Sequence, residues 1–120
     1  MQYAILCYDS EEVVGAWTKE YDDKVMQQLG AVCEGLAKAG KLGPVARLMP
    51  TKTARTLRKG QGTRVVDGPF AETKEVLLGF FIVNCDNDDE ALQAARALAA
   101  ASGSEGAYEI RPLLHFSGAP

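Results

Sequence analysis

The residues best able to do chemistry in this chain are a run of cations and the acid that ends it. Between Glu34 and Asp67 there is no acidic residue, yet the interval holds Lys38, Lys41, Arg47, Lys52, Arg55, Arg58, Lys59 and Arg64, most of the chain's 13 lysines and arginines. Guanidinium forks grip carboxylate or phosphate bidentately, so a small anionic ligand held by Arg58 and Arg64, with Arg111 and Lys74 as further cations, is the functional reading. The plainer one is a solvated hairpin whose arginines pair with acids of a partner subunit or with Glu72 and Glu75. Asp67 opens the turn Asp67-Gly68-Pro69-Phe70. A partly desolvated carboxylate at a cleft mouth can act as a general base, which makes Asp67 and Glu72 the candidate catalytic acids. Equally, an aspartate at the first position of such a turn accepts backbone N–H groups, with Phe70 anchoring the turn in the core.

Other chemistries have little to work with. The single histidine, His115, leaves no multi-histidine metal site, and any nucleophile-base triad would have to use it as the base. Cys7, Cys33 and Cys85 form no close pair and fall in apolar segments, where a thiol behaves as a small hydrophobe. The expectation is therefore no metal, no cofactor and a reducing cytosol. A net charge of -3 argues against nucleic acid bound by bulk charge, and the aromatics are not interleaved with the basic stretch. The apolar run Val76 to Val83 is far short of the ~20 residues of a membrane span, and Met1-Gln2-Tyr3 does not begin a signal sequence. A cytoplasmic protein with no membrane partner is expected.

The elements that must position these residues follow from pattern. At 120 residues, 47% hydrophobic and 24% charged, the chain suits one globular domain spanning 1–120. Gln2 to Tyr8 and Val76 to Val83 are nearly continuous apolar runs, as strands buried on both faces are. Tyr21, Val25, Leu29, Val32, Cys33 and Leu36 recur at helical spacing, with Gly40 as the stop. Gly43 to Met49 reads as a second strand. An inserted polar β-hairpin over about 51–66 turns at Lys59-Gly60-Gln61-Gly62. Asn87 with Glu90 forms a capping-box arrangement ahead of the stripe Ala91, Leu92, Ala95, Leu98 and Ala99. Ala107 to Arg111 alternates and is closed by Pro112, as an edge strand is. The order β-α-β, hairpin, β-α-β predicts an α+β, ferredoxin-like βαββαβ fold, with a four-stranded antiparallel sheet and two helices on one face. The bare face of that sheet predicts a sheet-packed homodimer.

The run Asp67-Gly68-Pro69-Phe70-Ala71-Glu72-Thr73-Lys74-Glu75, then Leu78-Gly79-Phe80-Phe81 and Glu109-Ile110-Arg111-Pro112, resembles the signature of the DGPF proteins of the YCII-related family. Pro50 to Arg58 and Asp88-Asp89-Glu90-Ala91 are similar as well. The resemblance implies a dimeric α+β barrel and leaves two functions open. One is a cofactor-independent small-molecule enzyme of isomerase or lyase type, moving a proton on an anionic substrate in a pocket beside the sheet. The other is a non-enzymatic bacterial module, a ligand sensor or an accessory of an extracytoplasmic-function sigma factor system. Relatives outside the DGPF branch use a His-Asp pair, and here the first strand, first helix and second strand hold no histidine.

Overall fold

A computed structural model describes residues 1–118 of the chain. The strand β1, Gln2–Asp9, runs antiparallel to β5, Val76–Asn84, on one side and to β6, Ala107–Pro112, on the other. The strand β2, Leu42–Arg47, adds to the far side of β5, giving the sheet order β2-β5-β1-β6. The two apolar runs thus occupy the centre, where both edges of a strand are paired with neighbours and one face lies under the helices. β1 alternates Tyr3, Ile5 and Cys7 toward the helices, opposite Val83, Phe81 and Gly79 of β5.

The long helix α2, Lys19–Lys38, begins where Thr18 accepts the Tyr21 N–H and stops before Gly40 at φ 73°. Its stripe sends Val25, Leu29, Val32, Cys33 and Leu36 onto the sheet. The helix α3, Asp88–Ala101, is capped by Asn87, which accepts the Glu90 N–H at 2.9 Å. The Glu90 carboxylate lies 3.1 Å from the Lys41 ammonium, joining α3 to the start of β2. Ala91, Ala94, Ala95 and Leu98 are buried against the sheet. Small side chains at these positions let α3 lie close to the strands.

A short helix α1, Glu11–Gly15, follows β1 and is capped by Ser10. Five residues are too few to show a helical period, so the sequence pattern contains no sign of it. The hairpin stands apart from the main sheet. Its strands β3, Arg55–Arg58, and β4, Arg64–Asp67, pair only with each other, and one 3-10 turn, Thr51–Thr53, ties their base to the body. The Glu11 carboxylate accepts both the N–H and the hydroxyl of Thr51 there. Because the turn after β4 belongs to this ribbon and not to the sheet, Phe70 is 72% exposed and lies beneath the Arg58 guanidinium, 5.0 Å from its centre, instead of entering the core.

Candidate functional site

The pairing of β1 and β5 slips by one residue: Cys7 faces Gly79 while Tyr8 faces Leu77, leaving Leu78 as an extra residue. Such bulges bend the strand and re-aim a side chain. Here the bulge lies against a cavity of about 280 Å³ between α2 and the C-terminal end of β1, and Leu78 lines it. Trp17, Met26, Leu29, Phe81, Tyr108 and Cys7 are among the other residues of its wall. A glycine at 79 is required, since a Cβ there would run into the Ala46 carbonyl oxygen of β2.

Asp9, the last residue of β1, is the charged residue buried at this wall, with 8% of its surface exposed. Its Oδ1 accepts the Ser10 N–H at 2.7 Å. Among the described residues no lysine or arginine forms an ion pair with it. Opposite it the chain has Gly106, where a Cβ would overlap the Tyr8 carbonyl oxygen and stand 2.7 Å from the Asp9 Cγ. The bare backbone at Gly106 is therefore what leaves room for the carboxylate.

Tyr108 of β6 sits directly across from Cys7 in register, and both line the cavity. Burial pushes the Cys7 thiol up to about 12, with the Tyr108 hydrogen bond pulling the other way. Burial also drives the Tyr108 hydroxyl well above the usual tyrosine value, reinforced by the neighbouring Cys7 and Asp9 and opposed by Ser102. At neutral pH both are protonated, so Tyr108 presents an O–H donor and Cys7 is no nucleophile. Arg47, also at the wall, is bound to Asp22 of α2 through two hydrogen bonds of 2.6 and 3.2 Å. That pairing holds the Asp22 carboxyl below the usual aspartate range. The arrangement supplies one carboxylate base and one neutral hydroxyl donor in an otherwise largely apolar chamber.

The residues singled out from sequence lie elsewhere on the chain. Asp67 ends β4 with its side chain 98% exposed, 3.9 Å from the Arg55 Nε. The turn it opens is fastened by the Gly68 N–H to the Ala54 carbonyl and by the Thr56 hydroxyl to the Gly68 carbonyl, each at 2.8 Å. Arg58 and Arg64 are brought together, directly opposite on the ribbon. Glu72 and Lys74 are exposed between β4 and β5. Arg111 of β6 pairs across from Ala4, on the sheet face away from the helices. None of these six residues lines the cavity. Asp9 and Tyr108 were missed, although each leaves a trace: an acid closing an apolar strand, and the tyrosine on the apolar side of an alternating one.

Among the described residues there is no group of three or more histidine, cysteine or acidic side chains placed to hold a metal ion, and no helix long and apolar enough to cross a membrane. An uncharacterised protein of Rhizobium meliloti (strain 1021) is 58% identical over 114 residues, an overlap covering 94% of this chain and 92% of that protein. The model of the YCII-related domain matches residues 1–117. With the chain matched over nearly its whole length and the βαββαβ sheet in place, the chain belongs to the YCII-related family.

Proposed function

We propose that the protein is a cofactor-independent enzyme that moves a proton on a small carbonyl compound bound in the cavity between α2 and the sheet. The observation that carries this reading is Asp9: a buried carboxylate without a cation partner among the described residues, facing an apolar chamber beside a protonated phenol. Burying an unpaired charge is costly, and the cost is met where the charge is used. Asp9 removes a proton from carbon adjacent to the substrate carbonyl, and the Tyr108 O–H donates a hydrogen bond to the oxygen on which negative charge develops. Returning the proton to a different carbon is isomerisation; expelling a leaving group from the neighbouring carbon is elimination. A cavity of about 280 Å³ suits a substrate of one ring or a short chain.

The test is proton-deuterium exchange at carbon next to the carbonyl, followed by NMR in heavy water over a panel of small cyclic ketones, lactones and phenols. The expected result is exchange by the wild type with one member of the panel, reduced on the order of 10²–10⁴-fold in Asp9→Asn. Unchanged exchange in Asp9→Asn removes it as the base. A second reading, the non-enzymatic module, is favoured by the basic ribbon held off the body; it predicts an accepted ligand that binds without exchange in either protein.

A further inference from the structure

The cavity of Asp9 and Tyr108 has a neighbour. A second cavity, of about 240 Å³, opens between α3 and β6 at the same end of the sheet. Leu92, Ala95, Arg96 and Ala99 supply its α3 wall, spaced three and four residues apart as one face of a helix requires. Tyr108 and Ile110, alternate residues of β6, supply the facing wall. Tyr8, Asp9, Ser102, Ser104 and Tyr108 border both cavities. The carboxylate and the phenol thus stand in a shared partition and not at a blind end. Gly106 lines the second cavity, and a Cβ there would stand 2.9 Å from the Asp9 Oδ2. One carboxylate oxygen therefore lies against that side, while Oδ1 is held by the Ser10 N–H.

What the second cavity adds is a cation. Arg96 stands on its wall with an exposed side chain. The positions from which α3 could offer it an acid hold Leu92, Gln93, Ala99 and Ala100. Among the described residues its guanidinium forms no ion pair within 4 Å, with Asp9 or any other acid. The Ser104 hydroxyl is a further donor on the wall, whereas the Ser102 hydroxyl donates to the Ala99 carbonyl at 2.8 Å. One uncommitted guanidinium fork matches one carboxylate. A phosphate dianion fits worse, because Asp9 shares the wall and α3 turns its negative C-terminal end toward the cavity through Ala99 and Ser102. We propose that the second cavity is a carboxylate subsite, in which Arg96 grips the acid group of a substrate whose carbonyl lies in the first cavity beside Asp9 and Tyr108. The substrate class is then a small oxo acid that reaches across the partition. The carbonyl end of this assignment rests on the proton-transfer reading; the acid end stands on Arg96.

The experiment follows binding by protein NMR on the full chain, comparing levulinate with levulinamide and cyclohexanone carboxylate with its amide, in the wild type, Arg96→Gln and Arg96→Lys. Trp17, the chain's one tryptophan, lines the first cavity, and its indole N–H reports occupancy there. The amides of Ser104 and Gly106 report the second. Arg96 is exposed, so its replacement leaves the core intact, which far-UV circular dichroism checks. The expected result is that the acid of a pair binds the wild type about tenfold or more tightly than its amide, as a charge-assisted hydrogen bond gives, and shifts Trp17 and Ser104 together. That advantage shrinks with added salt, is lost in Arg96→Gln and is partly kept in Arg96→Lys. Equal binding of acid and amide by the wild type overturns the inference, as does a preference for the acid that survives in Arg96→Gln. So do displacement of the acid by inorganic phosphate and a wild type that binds neither member of either pair. The proton-transfer reading fails separately: an acid bound with its preference intact, yet without exchange in heavy water, removes that reading and upholds the carboxylate subsite.

Discussion

Asp9 shows how a single backbone position decides whether a carboxylate can be placed. Its room is the missing side chain of Gly106, so Gly106→Ala puts a Cβ into the Tyr8 carbonyl and the Asp9 carboxylate. The expected cost is about 1–3 kcal/mol, typical of an overpacked site, measured by urea denaturation; ligand binding in the cavity falls with it. The thiol of Cys7 gives a second residue-scale test. Raised by burial to about 12, it stays protonated at pH 8, so alkylation of the native protein there is slow and becomes fast on unfolding. Glu11 gives a third. The hydrogen bonds from Thr51, side chain first and backbone second, hold its carboxyl below the ordinary glutamate value. A depressed folded value means the contribution is fully present above the unfolded value of about 4.3 and is lost as pH falls through the lower folded one. Glu11→Gln therefore flattens the loss of stability below about pH 4.3, read from denaturation midpoints against pH.

At the scale of elements, the two helices and the central strands are held by terms that act locally and add up. Asn87 satisfies an orphan N–H at the start of α3, so Asn87→Ala costs about 0.5–2 kcal/mol in thermal or urea unfolding. Leu98, fully buried where α3 meets the sheet, costs about 2–5 kcal/mol as Leu98→Ala. The β3–β4 ribbon has no such buried residue. Its residues are exposed or half-exposed throughout, and its base is tied through Thr51, Thr56 and Gly68. Elements of this kind open most readily and exchange amide hydrogen fastest in an isolated chain. The ribbon, the bulge at Leu78 and the short α1 all adjoin the segments that close the cavity end of the sheet, where regular pairing is given up.

At the scale of the whole molecule, sheet order and helix placement were legible before any coordinates, because they depend on period and run length. Continuous apolar runs at Gln2–Tyr8 and Val76–Val83 belong in the centre of a sheet, and the stripe from Val25 to Leu36 can bury itself only against one face of it. Asn87, Gly40 and Pro112 mark element ends through backbone chemistry that any fold must satisfy. The cavity is of another kind. Asp9 and Tyr108 are 99 positions apart in number and meet only because β6 returns beside β1 with Cys7 opposite Tyr108. That register, the one-residue slip at Leu78 and the clearance at Gly106 are decided by packing of side chains from four strands at once. The sequence by itself determined the strands of the main sheet, the hairpin and the two long helices, though not the short α1, and how the charges divide between hairpin and body. Only the tertiary structure decided that Asp9 is the buried acid while Asp67 stands in solvent on the single chain, because burial is a property of what comes to lie against a residue and not of its neighbours along the chain.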